Sequence, residues 1–217
     1  MSANIVKRYT RGLIKKINIF EVKFKVNVSE GETVVILGRN GSGKTTIIKT
    51  LCLLLYPDEG EIIFKSKNIL GQKKLEELYK KSVGYVPSRA YLSFDPTYSV
   101  INSMTEVLKI PPTEIVFEIT KILEKVGMKK EIIYKYPSEL SGGELQLLSL
   151  CRAILRKPQI IFMDEPTSYL DSVSQKEFFE ILQTIRKENN MAIVMTIHNI
   201  NLAKKLADKV ITLDNKS

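Results

Sequence analysis

Cysteine is scarce: Cys52 and Cys151 stand far apart, and neither has a neighbour at metal-ligand spacing. That excludes a cysteine-held metal cluster and a disulfide scaffold, and it suits a reducing compartment. Long apolar runs are missing too. The longest candidate, around Ile47 to Leu55, is interrupted by Lys49 and Thr50 and falls short of a membrane span. The opening Met1-Ser2-Ala3-Asn4-Ile5-Val6-Lys7 has no signal-peptide core. Direct membrane insertion is therefore not expected; membranes, if they matter, are met through a partner. No run interleaves basic with stacking aromatic residues, so nucleic acid is not an expected partner either. Internal repeats and low-complexity linkers are absent.

The chain has 217 residues, enough for one large domain or two small ones. With 44% apolar and 26% charged residues it has the make-up of an ordinary soluble globular protein. A net charge of +9 could suit nucleic acid or an anionic membrane surface. The lysines are dispersed, however, and the densest group, Lys73 to Lys81, is balanced by Glu76 and Glu77 within a helical pattern. It reads as a solvated helix face.

The chain is organised around Gly38-Arg39-Asn40-Gly41-Ser42-Gly43-Lys44-Thr45-Thr46. An apolar run, Thr33 to Leu37, precedes it, and Ile47 to Leu53 follows with helical character. Buried strand, glycine loop and helix start are the context in which this spacing binds phosphate. The glycines let the backbone approach phosphate oxygens and turn its N–H groups inward. The helix start adds its dipole and unpaired donors. Lys44 supplies a charge to the β- and γ-phosphates, and the Thr45 hydroxyl can hold Mg²⁺. The expected ligand is a nucleoside triphosphate.

Val22, Phe24, Val26 and Val28 alternate with polar residues, as in a half-buried antiparallel strand within Ile17 to Val28. Tyr56 to Gly60 breaks the chain, and Glu61 to Phe64 and Val83 to Val86 read as strands. Helices are expected over Tyr98 to Lys109, Thr113 to Gly127 and Ser141 to Arg156. Ile160 to Met163 is a buried strand, Ser174 to Asn189 a helix, and Ala192 to Ile197 another buried strand. Asn201 to Ala207 and Val210 to Leu213 read as a last helix and strand. Alternating strands and helices argue a mainly parallel sheet covered on both faces, an α/β fold with a helical insertion.

Asp164 and Glu165 follow four apolar residues, which places two carboxylates at the carboxyl end of a buried strand, where open α/β sheets bind ligands. Asp164 can hold Mg²⁺, and Glu165 can orient or deprotonate an attacking water. Leu140-Ser141-Gly142-Gly143-Glu144 puts an N-cap and two glycines at a helix start, a second bare phosphate nest or simply a capped helix.

Gly38 to Thr46, Leu140 to Glu144, Ile160 to Pro166, Ser168-Tyr169-Leu170-Asp171 and His198 occur together and in order. In that combination the chain resembles an ABC-transporter ATP-binding cassette over nearly its whole length. The resemblance implies a P-loop NTPase fold, with an N-terminal antiparallel β-subdomain and an inserted α-helical subdomain. One cassette would span 1–217, with 1–87 and 158–217 forming the core and β-subdomain and 88–157 the helical part. It implies two cassettes, identical or different, sandwiching two ATP with Mg²⁺. Each phosphate loop would be completed by Ser141, Gly142 and Gly143 of the other chain. Tyr9 would stack on adenine, Asp171 would touch the partner cassette, and His198, the only histidine, would reach the γ-phosphate. Lys44, Glu165 and His198 would be the catalytic set. The partner would be a separate transmembrane permease, with this subunit peripheral on the cytoplasmic face of the membrane. A soluble cassette without a membrane partner, resembling those of ribosome recycling or iron–sulfur assembly, is the other reading. Three departures stand out. Ser88 replaces the usual glutamine, Leu147 replaces a basic residue, and the chain stops at Asn215-Lys216-Ser217, as a minimal cassette would.

Overall fold

A computed structural model describes residues 1–11, 17–125 and 128–213, with the side chains of residues 11, 17–19 and 125 left aside. Gly12, the helix end expected at Gly127, and Asn215 to Ser217 lie outside the described residues. Strands β1 (Ser2–Arg11) and β2 (Ile17–Asn27) pair antiparallel. Then come β3 (Thr33–Leu37), helix α1 (Lys44–Leu51), β4 (Glu59–Phe64), the two-residue β5 (Lys67–Asn68), α2 (Lys73–Ser82) and β6 (Val83–Val86). Three helices follow: α3 (Val100–Leu108), α4 (Pro112–Lys125) and α5 (Gly142–Ile154). The chain closes with β7 (Ile160–Asp164), α6 (Ser172–Asn189), β8 (Ala192–Ile197), α7 (Ile200–Leu206) and β9 (Lys209–Thr212).

Two sheets result. The first is antiparallel, in the order β2-β1-β4-β5, and the second is parallel, in the order β6-β7-β8-β3-β9. Alternation along β2 buries Val22, Phe24 and Val26 and leaves the residues between them outward. The central parallel strands β3, β7 and β8 are buried on both faces, as their apolar runs require, while β6 and β9 form the partly exposed edges. On one face Val34, Ile36, Phe162 and Val194 pack with Ile47, Ile48 and Leu51 of α1 and with Phe24 and Val26 of the antiparallel sheet. Helix α1 is thereby clamped between the two sheets. Each such buried aliphatic side chain stabilises by about 1.5–3 kcal/mol relative to exposure. On the other face Val35, Leu37, Met163 and Met195 pack with residues of α3 to α7.

β6 and β7 are neighbours in the sheet, so the helical stretch between them leaves one strand and returns to the next. The helices start where side chains cap them. Asp171 accepts the N–H groups of Val173 and Ser174, so α6 begins at Ser172 rather than Ser174. Asn199 does the same for α7, which begins at Ile200. Lys109, in the left-handed region, ends α3.

Two strand features go beyond the sequence reading. Ser2–Arg11 is a full strand, although only Ala3 and Ile5 along it are buried apolar residues. β4 starts at Glu59, two residues early, because Gly60 continues the pairing opposite Ile5 with φ +109°. A Cβ there would run into the Asn4 carbonyl, so only glycine carries the strand through. Helix α2 is the solvated helix read from Lys73 to Lys81, anchored by buried Tyr79, whose hydroxyl donates to the Leu51 carbonyl at 2.7 Å. Cys52 and Cys151 are buried free thiols, and burial pushes Cys151 up to about 12 and Cys52 also well up.

Candidate functional site

The parallel sheet delivers β3 and β7 on either side of β8, with their carboxyl ends at one edge. The loop after β3 turns through Gly41 and Gly43, with φ +81° and +92°. At Gly43 conformation and space act together. A Cβ would lie 2.6 Å from Val22 Cγ2 and 3.3 Å from Phe20 Cζ, so β2 closes over the loop only because the side chain is missing. The buried hydroxyl of Ser42 has no hydrogen-bond partner among the described residues. An orphaned buried oxygen inside a glycine loop suits a site that receives a polar ligand.

Lys44 opens α1, where the first N–H groups have no partner one turn back. Its ammonium donates to the carbonyls of Gly38 at 2.8 Å and Arg39 at 3.1 Å, and lies 3.0 Å from Glu165 Oε1. Although Lys44 is buried, its charge is therefore surrounded by oxygens. Thr45 Oγ1 donates to Asp164 Oδ2 at 2.7 Å. Asp164 is only 4% exposed, and its other oxygen accepts the Thr196 hydroxyl at 3.0 Å. Among the described residues this buried carboxylate is met by hydroxyls and by no cation. A carboxylate so placed, beside a hydroxyl and a phosphate loop, fits a Mg²⁺ held mainly by phosphate oxygens and water.

Glu165 has φ +43°, the left-handed region that a side-chain-bearing residue rarely occupies. Its N–H donates to Thr196 Oγ1 at 2.8 Å, and its Oε2 accepts the Ser168 hydroxyl at 3.0 Å. Burial pushes the Glu165 carboxyl up. The bonds from Lys44 and Ser168, with the charges of Lys44 and the nearby His198, push it down, and the net position is below its usual 4.5. It is held ionised, as a proton acceptor must be.

An open cleft of about 1030 Å³ is lined by Gly38, Arg39, Asn40, Glu165, Tyr169 and His198, among others. His198 is exposed just past the end of β8 and lines the same cleft as the loop. Tyr9 sits at the loop's far end, its hydroxyl 3.2 Å from Thr46 Oγ1 and its ring centroid 6.3 Å from that of Phe20. The expected residues from Tyr9, the glycine loop, Asp164, Glu165 and His198 thus come together. Ser141, Gly142 and Gly143 do not line the cleft; they cap α5 on an exposed surface. Ser141 and Glu144 form a reciprocal capping box, with Glu144 N–H to Ser141 Oγ at 3.2 Å and Ser141 N–H to Glu144 Oε2 at 2.8 Å. Leu147 is packed in the core, so the side chain that replaces a base faces no solvent.

Three contributors carry little signal in the sequence. Ser168 stands in the Ser168-Tyr169-Leu170-Asp171 stretch, and its bond to Glu165 exists only in the fold. Gln146, buried on α5, donates to the Pro87 carbonyl at 3.1 Å and ties that helix to the loop after β6. Thr196 was hidden in an apolar strand, and its signal was one hydroxyl among five apolar neighbours.

Glycine loop, buried cation, paired carboxylates at a parallel-sheet edge: this is a nucleoside-triphosphate site of the P-loop class. A family profile described as ABC transporter matches residues 22–168, and the chain belongs to that family, as one of its ATP-binding cassettes. An uncharacterized ABC transporter ATP-binding protein of Methanocaldococcus jannaschii is 37% identical over 190 residues, 87% of this chain and 74% of the relative. The lipoprotein-releasing system ATP-binding protein LolD of Wigglesworthia glossinidia brevipalpis is 36% identical over 217 residues, 98% of this chain and 92% of that protein. Among solved structures, the dimeric cassette MJ0796 in a post-hydrolysis state with ADP and Pi aligns at TM-score 0.82 and 25% identity. It covers 99% of this chain and 94% of its own. CbiO1 of Clostridium perfringens, part of the transporter complex cbiONQ, shares the fold at TM-score 0.78.

Proposed function

We propose that this chain is the ATP-hydrolysing subunit of an ABC transporter, working as a dimer of cassettes on the cytoplasmic face of a membrane and driving a separate transmembrane subunit. The observation that carries it is the meeting of Lys44 with Glu165 and of Thr45 with Asp164 at one sheet edge. Lys44 and the loop N–H groups bind the β- and γ-phosphates. Thr45 and Asp164 would hold Mg²⁺, which would supply positive charge to the phosphate oxygens. Glu165 accepts the proton of the attacking water, and His198 reaches the γ-phosphate from the end of β8. Tyr9 stacks on the base. The exposed cap at Ser141 to Gly143 completes the site of a second cassette. Residues 1–87 and 158–217 act as the nucleotide-binding body, and 88–157 as the helical arm that carries this cap. Relatives named as transporter and lipoprotein-releasing subunits favour this reading over a cassette without a membrane partner.

Two substitutions test it. Glu165→Gln is expected to keep ATP binding, lose about 10²–10⁴ in turnover and accumulate an ATP-bound dimer on size exclusion with Mg-ATP. Lys44→Ala is expected to lose most affinity for a fluorescent ATP analogue. Unchanged affinity in the second, or a monomer under all conditions in the first, would overturn the assignment.

A further inference from the structure

We propose that Thr196 is a positioning residue for ATP hydrolysis, setting Asp164 and Glu165 together through one buried hydroxyl. The parallel register of β7 and β8 places Thr196 opposite Asp164 at the end of the ladder. Thr196 is fully buried. Its hydroxyl donates to Asp164 Oδ1 at 3.0 Å and accepts the Glu165 N–H at 2.8 Å. A threonine hydroxyl has one proton to give, and here it goes to a carboxylate, while a lone pair takes the backbone donor.

Both bonds bear on the chemistry. With Oδ1 occupied, Asp164 presents Oδ2 to Thr45, on the side where metal and phosphate would lie. The second bond replaces the next rung of the sheet. The Glu165 N–H is taken by a side chain instead of a strand carbonyl, just where φ turns to +43°. That turn swings the Glu165 carboxylate towards Lys44 and Ser168. Thr196 also lies two residues before His198, so the strand end that sets Asp164 and Glu165 also leads to another residue lining the cleft. It does not line the cleft itself; it acts through its neighbours.

The inference rests on the reading of Asp164 as metal holder and Glu165 as base. The decisive pair is Thr196→Val, which keeps the shape and loses the hydroxyl, and Thr196→Ser, which keeps the hydroxyl and loses a methyl. Full-length protein would be assayed for steady-state hydrolysis across Mg-ATP concentration, for equilibrium binding of a fluorescent ATP analogue, and for thermal unfolding. Thr196→Val should lower kcat about tenfold to a hundredfold, with analogue affinity and KM changed less than threefold. Thr196→Ser should return kcat to within about threefold of the parent, even where its melting temperature is lower. Equal kcat losses in both variants would reduce Thr196 to packing and overturn the proposal, as would a loss confined to KM. Should Thr196→Val fail to fold, Thr196→Ser decides alone, since a large kcat loss with the hydroxyl retained contradicts the role. Glu165→Gln is run beside them. If it retains turnover, the reading of the base fails; if it is inactive while Thr196→Val keeps the parent rate, only the role of Thr196 fails.

Discussion

The Lys44 ammonium lies 3.0 Å from Glu165 Oε1, so the cation assigned to phosphate and the carboxylate assigned to water form one ion pair. The side chain of Lys44 is 5% exposed and that of Glu165 23%, so the pair is neither in bulk solvent nor sealed in the core. Its net worth is that of a partly screened pair, about 1 kcal/mol or less.

This pair makes stability depend on pH in a stated direction. The Glu165 carboxyl sits below its usual 4.5, so its contribution is fully present above that value and lost as pH falls through the depressed one. Glu165→Gln removes the titrating group. The stability gap between the parent and this variant should be flat from neutral pH to about 5 and shrink on further acidification. Urea midpoints at a series of pH values measure it; a gap that widens in acid has the wrong sign for this account.

Ser141 serves a fold role that can be separated from its proposed role across the dimer. Asparagine caps helices about as well as serine, so Ser141→Asn should change stability by only a few tenths of a kcal/mol. Its larger amide would intrude where the phosphates of the second cassette are to sit. In the Glu165→Gln background the ATP-dependent dimer should therefore weaken at least tenfold, read by sedimentation equilibrium. Intact dimerisation would mean that the exposed cap of α5 does not meet nucleotide.

What could be read from sequence was whatever is contiguous in it. The glycine loop between a buried strand and a helix, the carboxylates ending another strand, and the capped start of α5 each carry their chemistry within a few residues. Partnerships between strands were not legible in the same way. Thr196 meets Asp164 only through the β7–β8 register, across 32 positions of chain. Tyr79 reads as one more residue of a lysine-rich helix until it is seen buried with its hydroxyl on Leu51. Proline, acidic residues and glycine from Pro57 to Gly60 read as a chain break, whereas pairing with Ile5 carries a strand straight through Gly60 at φ +109°. The bounds of the Ser2–Arg11 strand are not legible in its own residues, because Val6 and Lys7 interrupt the alternation and its partners lie in β2 and β4.

Ser88 is the departure from the family pattern with the clearest functional consequence. It follows Pro87, whose carbonyl accepts the buried Gln146 amide at 3.1 Å, so the backbone entering Ser88 is fixed by α5. A glutamine here could reach from the metal's water shell to a partner's helix; serine is two carbons shorter, and its one hydroxyl cannot span both. The nearby cation is already engaged. Arg89 donates to the hydroxyls of Tyr169 at 3.5 Å and Tyr91 at 3.4 Å, and its guanidinium carbon lies 5.7 Å from the Tyr169 ring centroid. The expected consequence is a water bridge beside the γ-phosphate, recovering most of a direct bond at an immobilisation cost of about 0–2 kcal/mol. If that cost falls wholly on the transition state, Ser88→Gln should raise turnover of the isolated protein by up to about thirtyfold and leave ATP affinity nearly unchanged. Arg89→Ala, which releases Tyr169, should alter turnover far less than a lost catalytic cation would, by about fivefold at most. Steady-state hydrolysis at saturating Mg-ATP compares the two. A Ser88→Gln variant no faster than the parent, together with a collapse of the rate in Arg89→Ala, would instead make the arginine the group that serves the γ-phosphate.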